Sequence, residues 1–448
     1  MKLVIHRGTK EIGGTCVEVK TDKTRIVIDF GMPLSDGQGG DFSEQVLENK
    51  SIDELIIENR ILYPIKGLYN NSSPQIDAIL ISHSHKDHYG FLQFAHPDIS
   101  IYMSAGAEKL INVLNIFVRK EGRVQLPKTA KIVRDRTPFD IGNLRITPYL
   151  TDHSAFDAMS FHVVEKTSGK SIFYSGDFRA AGWKEKLFDR FVADPPQGID
   201  CLLMEGTMIE REAGKYPTEQ DIMDRMVEIL KHTDKKVTFA CCSGQNIDRI
   251  VTFYKAVKRS SAILILDPYI ACVLRAIENT KNRIPQMNWG SVRVFIANYY
   301  GNGDVFVRKI SDSVFKNLLP DLARAKIKPL DFPGLKEKAL VLMRGSMIPA
   351  LEKIPDIRGS KIVYSQWKGY LDKDSSDSRK FKAFVSKYDL DLEHVHTSGH
   401  ATVDKLKRFA EALNPKVLIP IHTFEKDKYP SLFKNVKVLN DGEEFTVA

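Results

Sequence analysis

The sequence predicts an α/β protein made of a sheet sandwich and an inserted domain with a mostly parallel sheet. Two patterns lead to this fold class. Short β-rich runs (KLVIH, TCVEVK and RIVIDF) open the chain, and the turn residues Gly13 and Gly14, then Asp22 and Lys23, indicate a hairpin meander. From about 200 to 395, apolar strands alternate with amphipathic helices, which is typical of a parallel sheet flanked by helices.

The first part of the chain continues with an irregular stretch from Gly31 to Tyr69, in which Gly37, Gly39 and Gly40 lie close together. One helical segment, 51–60, interrupts this stretch. Strands and one helix then follow in order: DAILIS, ISIYM, helix 105–118, and strands 145–150, 159–165 and 171–175.

In the second part, predicted strands and helices form consecutive pairs. These are CLLME with helix 217–231, KVTFACC with helix 245–258, AILILD with helix 269–279, and SVRVFIA with helix 303–317; strands ALVLM and KIVYS follow. The chain closes with helix 402–413, strand KVLIPI and a terminal strand pair near 435–447.

The composition is that of a globular protein, with 43% apolar and 27% charged residues. The net charge of +8 permits a polyanionic partner but does not by itself indicate one. The five cysteines (16, 201, 241, 242 and 272) lie in or beside apolar stretches without a C-x-x-C pair, which favours reduced core residues and a cytoplasmic location. The N-terminus has no signal-peptide pattern, and no apolar run is long enough for a membrane span.

The segment SHSHKDHYG directly follows an apolar strand and brings together His83, His85, Asp87 and His88. On extended backbone, His83 and His85 point to the same side, because side chains alternate along a strand. Imidazole and carboxylate ligands suit zinc, with manganese or iron as alternatives. The alternative is a metal-free polar loop, in which such closely packed groups would be poorly satisfied if buried. The string H-x-H-x-D-H therefore predicts a metal site.

Three further candidate ligands also follow apolar strands: His153 in TDHSAFDA, Asp177 in YSGDFR and His422 in IPIHTFE. A lone histidine at a strand end is more often a capping or core residue. Their shared placement, however, would gather all three at one rim of the sandwich.

The order of these residues resembles the metallo-β-lactamase superfamily, and this resemblance implies an αββα sandwich with two divalent metals. His83, His85 and His153 would hold one ion. Asp87, His88 and His422 would hold the other. Asp177 would bridge both, with a water or hydroxide between them. Zinc is the expected metal, with manganese as the alternative.

The separation of 245 positions between Asp177 and His422 predicts an insertion, and this insertion resembles the β-CASP domain of ribonuclease J and other RNA-processing enzymes. Two markers carry the resemblance: Glu205 in LLMEGTM and His400 in the turn SGHA. The expected domains are 1–205, the first part of the sandwich; 206–370, the inserted β-CASP domain; and 371–448, the C-terminal part of the sandwich.

The resemblance implies a metal-dependent ribonuclease that hydrolyses phosphodiester bonds of single-stranded RNA through backbone contacts. The catalytic residues would be Asp87, His400 as general acid, and Glu205, which would orient His400. Ser82 is a plausible partner of the ligand imidazoles.

The residues Ser398, Gly399, His400 and Ala401, at a helix N-terminus, would contact a phosphate. Ser243 is a weaker candidate for the same role, with helix capping as its alternative. Four residues either line the cleft or belong to a solvated face: Arg249, Arg344, Lys368 and Tyr370.

Other functions stay open at this point. One is a DNA nuclease of the same branch, although His422 occupies a position where DNA-acting relatives usually carry valine. Another is a small-molecule hydrolase, which the long insertion disfavours, and a third is a scaffold without metals. Cleavage mode and oligomeric state, including a homodimer, are undecided.

Overall fold

The structure, a computed structural model, describes the chain except for residues 37–39, 59, 119–122, 125, 127–129, 212–215, 280–282, 297–304 and 314. Two of the loop glycines noted above, 37 and 39, therefore lie outside the described residues. The chain divides into two compact units. The first comprises Met1–Ala180, Lys184–Gly214 and Gly399–Ala448, and the second comprises Ala181–Trp183 and Lys215–Ser398.

The first unit contains two sheets. One sheet has seven strands, in the spatial order Glu444–Thr446, Lys2–Arg7, Cys16–Lys20, Arg25–Ile28, Ala78–Leu80, Ser100–Ser104 and Lys131–Val133. The first four strands pair antiparallel, which is the predicted meander closed by the C-terminal strand, and the later pairs are parallel.

The other sheet of this unit has six strands, in the order Val417–Ile421, Cys201–Glu205, Ser171–Tyr174, Met159–Glu165, Leu144–Leu150 and Phe139–Ile141. Its first three strands are parallel and the rest antiparallel. The parallel strands Cys201–Glu205 and Val417–Ile421 are neighbours in the sheet but far apart in sequence. The residues of the inserted unit lie between them in the sequence.

Apolar side chains of both sheets form one core, which includes Ile5 and Leu80 from one sheet and Phe161 and Leu203 from the other. Helices cover the two outer faces of this sandwich. Helix Ala105–Phe117 packs on the first sheet, and helices Glu185–Ala193 and Val403–Leu413 pack on the second. The short helices of this unit are Ile52–Ile57, Lys86–Tyr89 and Tyr429–Leu432. The layers confirm the predicted αββα sandwich.

The second unit is built on one sheet whose strand pairs are all parallel, in the order Lys326–Ile327, Val292–Phe295, Ile263–Leu266, Ala339–Met343, Val237–Cys241, Lys361–Tyr364 and Asp391–His394. Its described helices are Glu219–His232, Ile247–Arg259, Pro268–Ala276, Val305–Ser311, Leu319–Ala325, Ile348–Leu351, Lys368–Asp372 and Ser376–Lys387. The predicted alternation of strands and helices is confirmed.

The structure corrects the predicted end of the insertion. We expected it at 370, but 371–398 belongs to the second unit. Strand Asp391–His394 pairs in parallel with Lys361–Tyr364 and extends that sheet. This strand has no buried residue, so its apolar pattern could not reveal it. At the other boundary, residues 206–211 stay with the first unit.

Two expected elements also differ from the structure. The helix predicted over 303–317 runs from Val305 to Ser311, followed by a 3-10 turn at Lys316–Leu318; residues 303, 304 and 314 of that prediction lie outside the described part. The terminal pair near 435–447 is a single strand, Glu444–Thr446, which pairs with Lys2–Arg7. Among the described residues, we find no helix with the length and apolar character needed to span a membrane.

Candidate metal centre

The histidine-rich segment lies where the prediction placed it, directly beyond a buried strand. Strand Ala78–Leu80 ends before it, and a single helical turn, Lys86–Tyr89, begins after His85. His83 and His88 are completely buried, and Asp87 is 8% exposed. The strand and the turn therefore hold these side chains inside the protein.

The structure brings the seven predicted ligands together in two groups, within which the candidate ligand atoms lie no more than 4.8 Å apart. One group is His83, His85 and His153, and the other is Asp87, His88, Asp177 and His422.

Asp177 lies between the two groups. Its Oδ2 is 3.8 Å from Nε2 of His83 in the first group. The same oxygen is 3.2 Å from Nε2 of His88 and 3.7 Å from Nε2 of His422 in the second. One carboxylate oxygen thus faces imidazole nitrogens of both groups, which is the placement that a bridging ligand requires.

The outer nitrogens of two ligand histidines contact hydrogen-bond acceptors. Nδ1 of His88 donates to Oδ2 of Asp29 at 2.7 Å, and Nδ1 of His153 donates to the Gly399 carbonyl at 2.6 Å. Because these bonds use Nδ1, each ring turns its Nε2 toward the centre of the site as the atom that can bind a metal.

The inner atoms of the site pass a test for a metal. Within the candidate ligand set, four buried atoms have no hydrogen-bond partner in the described part of the chain: Nε2 of His83, His88 and His422, and Oδ1 of Asp177. Buried polar atoms are nearly always satisfied, so a cluster of this kind needs a cation to complete it. The nitrogen and carboxylate donors therefore fit divalent metal ions.

The surroundings of most of these imidazoles lower the pKa and so favour the neutral form, which is the form that binds a metal. Burial lowers the pKa of His83 well below its ordinary value, and neighbouring imidazoles, His88 first, lower it further. The pKa of His153 is also lowered, mainly by burial. For His88, burial lowers the pKa, but the carboxylates of Asp177 and Asp29 outweigh this effect and hold the pKa well above 6.5. A metal that binds His88 therefore displaces a proton.

Asp29 is the important residue that our sequence reasoning missed. It is fully buried, and it accepts hydrogen bonds from the Ser82 amide (2.7 Å), the Ser82 hydroxyl (2.7 Å), Nδ1 of His88 (2.7 Å) and the Tyr174 hydroxyl (2.6 Å). Its backbone has φ 56°, a left-handed conformation that aspartate tolerates better than most residues. Its position at the end of strand run RIVIDF, like that of the ligands, was the available signal. Ser82, which we had expected as a partner, also lies 3.0 Å from Nδ1 of His83.

His400 and Glu205 lie next to this centre. Nδ1 of His400 is 3.3 Å from Oε2 of Glu205 and 3.8 Å from Oδ2 of Asp177. Burial lowers the pKa of His400, but the carboxylates of Glu205 and then Asp177 outweigh burial and raise it above 6.5. The side chain keeps 19% of its surface exposed. The two carboxylates thus favour the protonated form of the His400 imidazole, which solvent can still reach.

Glu205 is held by backbone amides at the end of strand Cys201–Glu205. The Ala401 amide donates to its Oε1 at 3.2 Å, and the Thr207 amide donates to its Oε2 at 3.0 Å. These two bonds fix the carboxylate in the orientation that faces His400.

The phosphate contact predicted for the Ala401 amide is not supported by the structure, whereas the contact predicted for the Gly399 amide stays a prediction. The Ala401 amide already donates to Glu205, and Ala401 is 1% exposed. The Gly399 carbonyl binds His153. Helix Val403–Leu413 has Thr402 at its N-cap position, so the SGHA turn precedes the helix N-terminus instead of forming it.

The other weak candidates belong to the second unit. Ser398 is only 9% exposed. The hydroxyl of Ser243 accepts from the Gln245 amide at 3.3 Å, and Asn246 caps helix Ile247–Arg259, so the capping alternative for Ser243 is wrong.

The two arginines that we placed in a cleft or on a solvated face are tied to carboxylates. Arg249 is completely buried, and its Nε lies 3.0 Å from Oε2 of Glu219. Arg344 pairs with Asp267. Lys368 and Tyr370 are exposed.

The chain is similar to known proteins in sequence and in fold. The beta-lactamase superfamily domain profile matches residues 45–241. The chain is 23% identical to ribonuclease J of Helicobacter pylori (strain ATCC 700392 / 26695), over 100% of this chain and 61% of that protein. It is 25% identical to ribonuclease J of Mycoplasma genitalium, over 94% of this chain and 67% of that protein. The chain thus spans about three fifths of the length of the Helicobacter relative.

A solved structure, titled a protein of unknown function from Enterococcus faecalis V583, superimposes with a TM-score of 0.76 at 20% identity and covers 99% of both chains. That likeness concerns the fold alone. The fold and the arrangement of the candidate ligands are those of the metallo-β-lactamase fold. Over nearly its whole length the chain is similar in sequence to ribonuclease J, in line with the resemblance to the β-CASP family.

Proposed function

We propose that this chain is a metal-dependent ribonuclease that hydrolyses phosphodiester bonds of single-stranded RNA. The observation that carries the proposal is the pair of His400 and Glu205 beside seven metal-ligand candidates. A proton donor next to a dinuclear centre is what phosphodiester hydrolysis requires. The two ribonuclease J relatives support RNA as the substrate.

The seven ligands would hold two divalent ions, three histidines on one side and Asp87, His88 and His422 on the other, with Asp177 between them. We propose zinc, with manganese as the alternative, because imidazole and carboxylate donors suit both. When bound, the ions neutralise phosphate charge and lower the pKa of the attacking water.

The chain's own residues would direct the proton to the leaving oxygen. Nδ1 of His400 faces Glu205, so Nε2 is the atom available to donate. The Glu205 carboxylate keeps the ring charged and oriented, since its own oxygens are fixed by the amides of Thr207 and Ala401. The proton is thus held ready at Nε2 before the phosphodiester bond breaks.

We also propose a cytoplasmic location, because all five cysteines are buried and free.

End-labelled RNA with a 5′-monophosphate, 5′-triphosphate or 5′-hydroxyl, beside single-stranded DNA of the same sequence, tests the proposed activity. The chain is loaded with zinc or manganese and compared with His400→Ala and Glu205→Gln. We expect RNA cleavage by the wild type and a loss of about 10²–10⁴-fold in His400→Ala at unchanged metal content. A preference for DNA, or full activity in His400→Ala, would contradict the proposal. The product ladder separates internal cleavage from cleavage that starts at an end.

A further inference from the structure

An exposed aromatic pair, Trp367 and Tyr370, lies beyond the carboxyl end of strand Lys361–Tyr364 in the second unit. Helix Lys368–Asp372, which begins after Trp367, buries none of its residues. In open parallel sheets, ligands bind outside the carboxyl ends of the strands. The pair therefore lies at the end of the sheet where a ligand is expected.

The two rings present a large and ordered apolar surface. Trp367 is 40% exposed and Tyr370 is 51% exposed. Their ring centroids are 5.2 Å apart, and the rings meet edge to face at 86°. A Cβ added at Gly369 would lie only 2.3–2.5 Å from three atoms of the indole ring, so the indole rests directly on the Gly369 backbone. Glycine at 369 is thus required for this arrangement.

The loop below the pair is firmly attached to the sheet. The Ser365 hydroxyl donates to the Val395 carbonyl at 2.6 Å, and the buried Arg249 guanidinium donates to the Ser365 carbonyl at 3.0 Å. Nε2 of His394 donates to the Gln366 carbonyl at 2.9 Å. The aromatic pair is therefore pre-organised, and stacking of a ligand on it costs little conformational entropy of the loop.

We propose that Trp367 and Tyr370 form a stacking platform for unpaired bases of single-stranded RNA. The proposal rests on the proposed ribonuclease function and assigns a substrate contact to the inserted unit. Aromatic side chains bind single strands by stacking, because every base has a π-face. Two rings are also far too small a surface for a stable protein partner, which needs about 1,000 Å² of buried area.

The charges around the platform balance over residues 367–379, where Lys368, Lys373 and Arg379 are matched by Asp372, Asp374 and Asp377. The contribution of the platform to RNA affinity should therefore come from stacking and not from phosphate binding. Phosphate contacts weaken steeply with salt, whereas a stacking contribution changes little. Loss of the platform should reduce RNA affinity by the same factor at low and high salt.

The test measures binding of the full chain to a fluorescently labelled single-stranded oligoribonucleotide by anisotropy, with a chelator present to prevent cleavage. We expect Trp367→Ala to weaken binding about 5- to 100-fold, and Trp367→Phe to retain most of the affinity. Gly369→Ala should also weaken binding, because it displaces the indole.

A matched control comes from the other end of the same sheet. Trp289 and Tyr254 form a second aromatic pair, with centroids 5.1 Å apart at 59°, before the amino end of strand Val292–Phe295. We expect Trp289→Ala to bind RNA like the wild type. Thermal melting of each variant reports folding.

An oligoribonucleotide in which the bases are replaced by abasic sites shows whether the platform contacts the bases. Wild type and Trp367→Ala are each measured with RNA that has bases and with RNA that lacks them. For the wild type, removing the bases should cost the same factor as Trp367→Ala, and the variant should lose little further. Equal binding of base-containing RNA by wild type and Trp367→Ala would overturn the platform while leaving the cleavage assay intact. An equal loss on abasic RNA would also overturn it, because the effect would then be structural. A wild-type chain that neither binds nor cleaves RNA would overturn both proposals.

Discussion

Replacing Asp29 by asparagine should prevent His88 from binding a metal, although none of the candidate ligands is itself substituted. Oδ1 of Asp29 accepts from the Ser82 amide, and Oδ2 accepts from the Ser82 hydroxyl, Nδ1 of His88 and the Tyr174 hydroxyl. Asparagine has one carbonyl oxygen, which must face the backbone amide because that donor cannot rotate. Its NH2 group then faces His88 and the two hydroxyls.

The hydroxyls can rotate to accept from this NH2 group, but His88 can accept only by moving its proton from Nδ1 to Nε2. A protonated Nε2 has no lone pair for a metal. Changes in the partners that orient metal-binding histidines typically cost about 10- to 100-fold in metal affinity, or about 1.4–2.8 kcal/mol. The loss should fall on the ion held by Asp87, His88 and His422.

A chelator titration with elemental analysis measures this effect. We expect Asp29→Asn to keep one ion per chain at chelator concentrations where the wild type keeps two. Tyr174→Phe is the control, since it removes one hydrogen bond to Asp29 but leaves the His88 tautomer unchanged. That variant should lose about 1 kcal/mol of stability and bind both ions normally. Wild-type affinity for both ions in Asp29→Asn would refute the tautomer argument.

Three further outcomes are expected. His400→Gln should lower the single-turnover rate of RNA cleavage by about 10²–10⁴-fold with unchanged metal content, and a rate within about twofold of wild type would exclude His400 as the general acid. Gly31→Ala should lower the free energy of unfolding by about 3 kcal/mol, because the new Cβ would lie 1.7 Å from the Asp87 carbonyl oxygen. Thermal melts measure this loss. Gly345→Ala is the control, because no described atom lies within 4 Å of a Cβ at that position. Burial lowers the pKa of His162 to about 4, so this side chain stays neutral when folded while the unfolded chain binds a proton below pH 6.5. As the pH falls from 6.5 to 4, this residue should lower the free energy of unfolding by up to about 1.4 kcal/mol per pH unit. His162→Phe should flatten the dependence of unfolding free energy on pH in that window. An unchanged slope in the variant would contradict the role given to His162.

The sequence by itself was sufficient for the metal-ligand candidates and for the architecture. His83, His85, Asp87 and His88 lie within six residues after a buried strand, so local geometry alone places them together. The remaining candidates share one local feature, a position just past an apolar strand, and strand ends of one sheet meet at one edge. The parallel sheet of the second unit was visible because its strands are almost completely buried and therefore apolar.

Other features depend on contacts between residues distant in sequence. Strand Asp391–His394 carries no buried apolar pattern, and only its pairing with Lys361–Tyr364 defines it. Arg249 looked like a surface cation, but its buried pairing with Glu219 spans 30 residues. The Ala401 amide seemed available for phosphate until the fold placed Glu205, 196 residues away, beside it.

The sequence determined which side chains can bind metal, because that capacity belongs to the residue type and its place after a strand. Tertiary structure decided which nitrogen of each imidazole faces the candidate metal centre and which imidazole is favoured in its protonated form. Those properties depend on Asp29 for His88, on the Gly399 carbonyl for His153 and on Glu205 for His400. A tautomer and a pKa are set by the partner at the other end of a hydrogen bond, and only the folded chain brings that partner into contact.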